Sequence, residues 1–200
     1  MTKIPILLIL SRLLIGLFMI YFSSIQIENY KIIAIVLLTI GLLTDIFDGI
    51  IARRLNVSNE RLRRLDSSID LLFFVSVAIA TYLQCPDFFR SNSQKLIILF
   101  GFESLTYIVS YLKFRKEVAT HSIGAKIWTL ILFSALIQIM WQCQSAFLFN
   151  LCFWGGILTR IEIIAILLIL KKWKTDVPTF LHALKLRNGK EIKRNKLFNG

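Results

Sequence analysis

The 200-residue sequence has little of what a soluble, multidomain or zinc-organised protein needs. Cysteine is scarce: Cys85, Cys143 and Cys152 are the only three, and their spacing fits no metal-ligand pattern. They read as packing residues. No internal repeat, Gly/Ser linker or low-complexity segment divides the chain, so a second folded domain is not expected. Acidic residues number 12 against 24 Lys and Arg, a formal net charge of +12. Nucleic acid is nonetheless a poor partner, because the basic residues flank apolar runs and no nucleic-acid module is visible. A small-residue cleavage site after Leu17 is missing too, and the first apolar run is too long for the core of a signal peptide. The first helix is therefore expected to stay.

What the chain has in excess is apolar length. Hydrophobic residues make up 56% of it, with a mean hydropathy of +0.68. Crossing a bilayer core of about 30 Å takes roughly 20 apolar residues in a helix. Six such runs lie near 4–27, 31–52, 65–84, 96–112, 123–142 and 148–170, the fourth short and the first opening near Pro5 at the membrane surface. The expected fold is an all-α, multi-pass membrane domain over 1–172, followed by a basic tail over 173–200. In that tail Asp176-x-Pro178 reads as a helix start, and Val177, Phe180, Leu181 and Leu184 are spaced like one face of a short interfacial helix.

Charge sets the expected orientation, since Lys and Arg near span ends favour the cytoplasmic side. Arg53, Arg54, Arg61, Arg63 and Arg64 lie between the second and third runs, and Lys113, Arg115 and Lys116 between the fourth and fifth. The tail after Ile169 carries nine basic residues, whereas the opposite connections hold only Lys31, Arg90 and Lys95. Both termini are expected in the cytoplasm, with the basic face towards anionic lipid headgroups or phosphorylated substrates. Cys85 and Cys143 then fall on the outer side. A disulfide there is open to the chain, but nothing in the sequence requires one.

Six acidic residues stand inside the apolar runs: Asp45, Asp48, Asp66, Asp70, Glu103 and Glu162. An ionised carboxylate near the bilayer centre costs roughly 2.5–3.5 kcal/mol on insertion scales, so four in two neighbouring helices require compensation. Asp45 and Asp48 share a helix face at i,i+3, and Asp66 and Asp70 share one at i,i+4. Joined by the short basic segment 54–64, the two helices can face these pairs at each other. The result is a cage of hard oxygen ligands suited to Mg2+ or Mn2+. Gly49 and Ala52 continue the first face with small side chains, and Arg53 follows with a guanidinium able to grip a phosphate. Metal, space and cation in that order suggest a bound diphosphate.

Asp45-x2-Asp48-Gly49-x2-Ala52-Arg53 followed by Asp66-x3-Asp70 resembles the signature of the CDP-alcohol phosphotransferase family. Leu62 departs from it, standing where the family has a second glycine. Near the start, Pro5, Leu8 and Arg12 fit a further family pattern in which Ile6 and Ile9 replace a polar pair. The resemblance implies transfer of a phosphatidyl or other substituted phosphoryl group from a CDP-linked donor, here CDP-diacylglycerol, to an alcohol, with release of CMP. It implies that Asp45, Asp48, Asp66 and Asp70 hold two Mg2+ or Mn2+ ions, that Asp70 also acts as general base, and that Gly49, Ala52 and Arg53 bind the nucleotide. It implies homodimers as an expectation only, and a site near the cytoplasmic face of what would be a bacterial inner membrane.

The acceptor is harder to read. Arg115 and Lys126, with Lys113 and Lys116, suit a phosphorylated polyol such as glycerol 3-phosphate or inositol phosphate, but the same residues also serve the positive-inside rule. His121 and Ser122 read as structural. Arg160 and Glu162 are not at pairing distance along one helix, so each is expected to pair elsewhere, with Glu103 and Arg12 as the available opposite charges. Arg160 is also an acceptor-binding candidate. Two other classes stay open: an intramembrane cation transporter, and an inactive relative of the transferases for which Leu62 is the argument.

Overall fold

The computed structural model describes residues 3–55, 59–118, 120, 122–190 and 192, and for Lys3, Arg53 and Glu60 the backbone alone. Helix is the only regular structure among them: α1 (Lys3–Ser24), α2 (Tyr30–Arg54), α3 (Glu60–Gln84), α4 (Pro86–Ser91), α5 (Ser93–Phe114), α6 (Ile123–Gln142), α7 (Phe147–Ile169) and α8 (Phe180–Arg187). Six of them are long and apolar enough to cross a membrane. A helix meets every backbone hydrogen bond within itself, which lipid demands.

The six expected spans correspond to α1, α2, α3, α5, α6 and α7, with three differences. The first is helical from Lys3, and α5 runs 22 residues and is not short. Residues 60–64 of the segment read as a basic loop over 54–64 belong to α3, because Asn59 caps that helix by accepting a hydrogen bond from the Leu62 N–H at 2.9 Å. The six-residue α4 was not foreseen; it begins at Pro86, a residue favoured at a helix start.

The chain divides into two compact units, residues 1–91 with 135–145, and 92–134 with 146–200. In the first unit α1 packs along α2 and α3. The buried stripe of α1 is Pro5, Ile9, Arg12, Gly16, Met19 and Ser23, a strict alternation of three and four residues. On α2 it is Ala34, Leu38, Gly41, Asp48 and Ala52, and on α3 Arg63, Asp66, Ile69, Phe73, Val77 and Ala80. Gly41 lets α2 close on α3: a Cβ there would stand 2.3 Å from the Phe73 ring. Away from the aspartates the helix ends are laced together. Ser23 Oγ donates to Ala80 O at 2.8 Å, Gln84 Nε2 to Ser23 O at 2.9 Å and Lys31 Nζ to Trp141 O at 2.9 Å. Cys85 and Cys143, read from sequence as packing residues, form a disulfide there. Only Cys152 remains a free, buried thiol.

In the second unit α5 packs on α7, and α8 folds back onto α7. Ile166, Leu170, Val177 and Ala183 form one core cluster, and Val118, Ile163 and Leu167 another. The expected α8 face differs at one residue, Val177. Thr179 is the N-cap, so Val177 precedes the helix, and Ala183 and Leu186 pack inward. Phe180, Leu181 and Leu184 face outward.

Candidate functional site

The site forms where the buried stripes of α1, α2 and α3 carry charge in place of an apolar side chain. Asp48 and Asp66 are buried, while the side chains of Asp45 and Asp70 are 36% and 23% exposed, so the quartet is closed on one side and accessible on the other. Arg12 projects into its middle and is fully buried. Its Nη1 donates to Asp45 at 2.8 Å and to Asp70, and its Nη2 donates to Asp66 at 2.6 Å and to Asp48. Each terminal nitrogen thus joins one carboxylate of α2 to one of α3. Arg12 was expected to serve as a counter-charge for Glu162. It is instead committed to the quartet, and Glu162 accepts a hydrogen bond from Ser122 Oγ at 3.0 Å.

Carboxylate oxygens of Asp45, Asp48 and Asp66 lie within 4.8 Å of one another. Three hard, anionic oxygens that close can share a divalent ion, and Mg2+ or Mn2+ matches such donors better than a soft, sulfur-seeking metal. The donor set fits the metal expected from the sequence. Beside it lies a small pocket lined by Pro5, Ile9, Gly49, Ala52, Leu62 and Arg63 together with Asp48 and Asp66. Gly49 and Ala52 therefore border the carboxylates, and Leu62 occupies the wall of the same pocket. The Arg53 side chain and His121 lie outside the described residues.

Sequence reasoning missed the place of two residues. Arg63, taken as a topogenic charge, is buried and lines the pocket three residues before Asp66 on the same helix face. Arg12 was matched to a pattern without its partners. The three-four spacing of the α1 stripe carried the signal, because Arg12 falls on it.

The remaining basic candidates belong to the second unit. Lys113 Nζ donates to the Leu167 and Leu168 carbonyls at 3.0 and 2.6 Å, closing the end of α7. Lys116 lies 4.6 Å from the Trp173 ring centre and Arg115 lies 5.8 Å from that of Tyr111. Lys126 is half-buried in the first turns of α6. Arg160 pairs with Glu103, as its expected need for an opposite charge foresaw, and lies 4.5 Å over Trp128.

Comparison with known proteins agrees with this geometry. The family model described as CDP-alcohol phosphatidyltransferase matches residues 2–170. The chain belongs to the CDP-alcohol phosphatidyltransferase family. It is 30% identical over 174 residues to the CDP-diacylglycerol–glycerol-3-phosphate 3-phosphatidyltransferase of Aquifex aeolicus (strain VF5), covering 86% of this chain and 92% of that protein. No solved structure matches the chain. As a CDP-alcohol phosphatidyltransferase it is a multi-pass integral membrane protein of a metal-dependent enzyme family working in phospholipid synthesis. The family implies CDP-diacylglycerol and an alcohol as its substrates. Its match takes in α1 to α7 and leaves out α8.

Proposed function

We propose that this CDP-alcohol phosphatidyltransferase transfers the phosphatidyl group of CDP-diacylglycerol to glycerol 3-phosphate and releases CMP. The observation that carries the reading is the cluster of Asp45, Asp48 and Asp66, with Asp70 joined to it through Arg12, beside a pocket walled by Gly49 and Ala52. The acceptor is taken from the name of the Aquifex relative, which agrees with the phosphorylated polyol expected from the basic residues.

In this reading Asp45, Asp48, Asp66 and Asp70 hold two Mg2+ or Mn2+ ions. Held there, such ions would neutralise the diphosphate and polarise the phosphorus under attack. Gly49 and Ala52, without bulky side chains, admit the nucleotide against α2, and Arg53 binds its phosphates. The acceptor hydroxyl oxygen bonds to the phosphorus bearing diacylglycerol, the phosphoanhydride bond to CMP breaks, and the hydroxyl proton passes to a carboxylate oxygen of Asp70. In the second unit, Arg115 and Lys126 are the candidates for contact with a phosphorylated acceptor. Arg160, committed to Glu103 and Trp128, is better read as part of the polar frame of the second unit.

The site lies near the cytoplasmic face, with both termini on that side, in a bacterial inner membrane. Two features support this orientation. Arg54, Arg61 and Arg64 sit at the aspartate end of α2 and α3. The Cys85–Cys143 disulfide sits at the other end of α3, about 28 Å along the axis from Asp66 at 1.5 Å per residue, as suits an oxidising compartment. The exposed Phe180, Leu181 and Leu184, with Lys185 and Arg187, suit α8 to the headgroup layer.

Reversal of the reaction tests the proposal against a transporter or an inactive relative. Purified protein given phosphatidylglycerol phosphate, CMP and Mg2+ is expected to form CDP-diacylglycerol. Failure to form it, in protein that makes the forward product with a different acceptor, would overturn the acceptor assignment.

A further inference from the structure

We propose that Arg12 is a resident counter-cation which divalent ions must displace, so that Arg12 sets the metal concentration at which the site loads. The inference rests on the reading of the aspartate quartet as the metal site. Its evidence is the way the guanidinium is held. Nη1 takes Asp45 and Asp70, and Nη2 takes Asp48 and Asp66, so one planar cation spreads its charge over both carboxylate pairs. Those are the oxygens that ions placed between α2 and α3 would use. A guanidinium and a dication cannot share them, because Mg2+ draws its ligands to about 2.0–2.1 Å and repels a like charge at that range.

A second observation separates Arg12 from a permanent structural arginine. The residue is fully buried, yet its Nε has no hydrogen-bond partner among the described residues. A guanidinium fixed for structural reasons uses its whole fork of donors, and a buried donor left unpaired is costly. Arg12 is held by its two terminal nitrogens alone, through bonds to the groups that a metal would claim. Withdrawal of the guanidinium would also release Asp70, whose carboxylate must be free to take the acceptor proton. In this way Arg12 keeps four carboxylates compensated inside the membrane and yields them when ions arrive.

The test is Mn2+ binding, followed by the electron paramagnetic resonance signal of free Mn2+, to full-length protein in lipid nanodiscs without nucleotide or lipid substrate. If the ion-competent arrangement is a minor population, removing its competitor recovers the lost affinity. Arg12→Gln is expected to bind Mn2+ roughly tenfold or more tightly than the wild type. Arg12→Lys, whose single ammonium cannot bridge both pairs, is expected to shift in the same direction by less, and it covers the case in which Arg12→Gln does not fold. Unchanged or weaker binding in these variants would overturn the inference, weaker binding meaning that Arg12 arranges the carboxylates for metal. Asp66→Asn separates the two layers of the argument: if Mn2+ binding survives it undiminished, the metal-site reading itself has failed.

Discussion

Arg12 on α1 and Asp66 on α3, separated by 54 residues in the chain, meet inside the membrane domain at 2.6 Å. Asp45, Asp48 and Asp70 converge on the same guanidinium. An isolated aspartate or arginine near the bilayer centre costs roughly 2.5–3.5 kcal/mol on insertion scales, and five such residues on three separate helices would resist assembly in lipid. Brought together they offset one another. The pairing explains how α1, α2 and α3 can carry a charged cluster on stripes that are otherwise apolar, and why the chemistry sits at their junction.

The assignment of Asp70 as general base separates its role from that of Asp66. Asp70→Asn is expected to lower turnover at least about 100-fold, within the usual range for losing a general base, while most CDP-diacylglycerol binding survives. Asp66→Asn, losing a buried ligand, is expected to weaken binding and turnover together. Binding measured by calorimetry beside single-turnover rates checks this. Equal loss of binding and rate in Asp70→Asn would contradict the division of roles.

Leu62 is the one position of the aspartate signature that departs from the family pattern, and it lines the pocket shared by Gly49 and Ala52. Its backbone N–H is held by the Asn59 cap, which a glycine preserves, so Leu62→Gly is expected to fold. Removing the side chain opens the wall, and CDP is expected to bind more tightly in an equilibrium titration. A folded variant without activity would mean that the chain uses Leu62 in place of the missing glycine, for positioning.

The disulfide yields a prediction about both stability and compartment. Cys85→Ser is expected to cost roughly 2–4 kcal/mol of unfolding free energy. In intact cells a membrane-impermeant maleimide is expected to label Cys143, the half-buried partner, only after an impermeant reductant is added. Labelling without reductant, or protection until the cells are lysed, would contradict an oxidised bond on the outer side. Cys152 is buried and should stay silent.

The spans and the facing aspartate pairs were legible in the sequence because both are local patterns. Apolar length gives a crossing, and i,i+3 or i,i+4 spacing gives a face. The partner of Arg12 was not legible in the same way, because it depends on the register of α1 against two other helices. The Cys85–Cys143 bond likewise needs two residues 58 apart in sequence to bring their Cα atoms to 5.2 Å. The Arg160–Glu103 pair was foreseen because a buried charge must find an opposite one and few were available. Only Val177 was misplaced on the expected apolar face of α8, and for a local reason. Asp176 has a positive φ of 53° and Thr179 sets the cap, so the helix begins after Val177.

The most direct measurement of the central claim is CMP release by purified protein in lipid with Mg2+ and radiolabelled CDP-diacylglycerol, offered separately glycerol 3-phosphate, inositol phosphate, inositol, serine and choline. The account predicts release that requires both Mg2+ and glycerol 3-phosphate, with phosphatidylglycerol phosphate as the labelled product. Release driven by another alcohol, or none with any acceptor from protein that binds CDP-diacylglycerol, would contradict it.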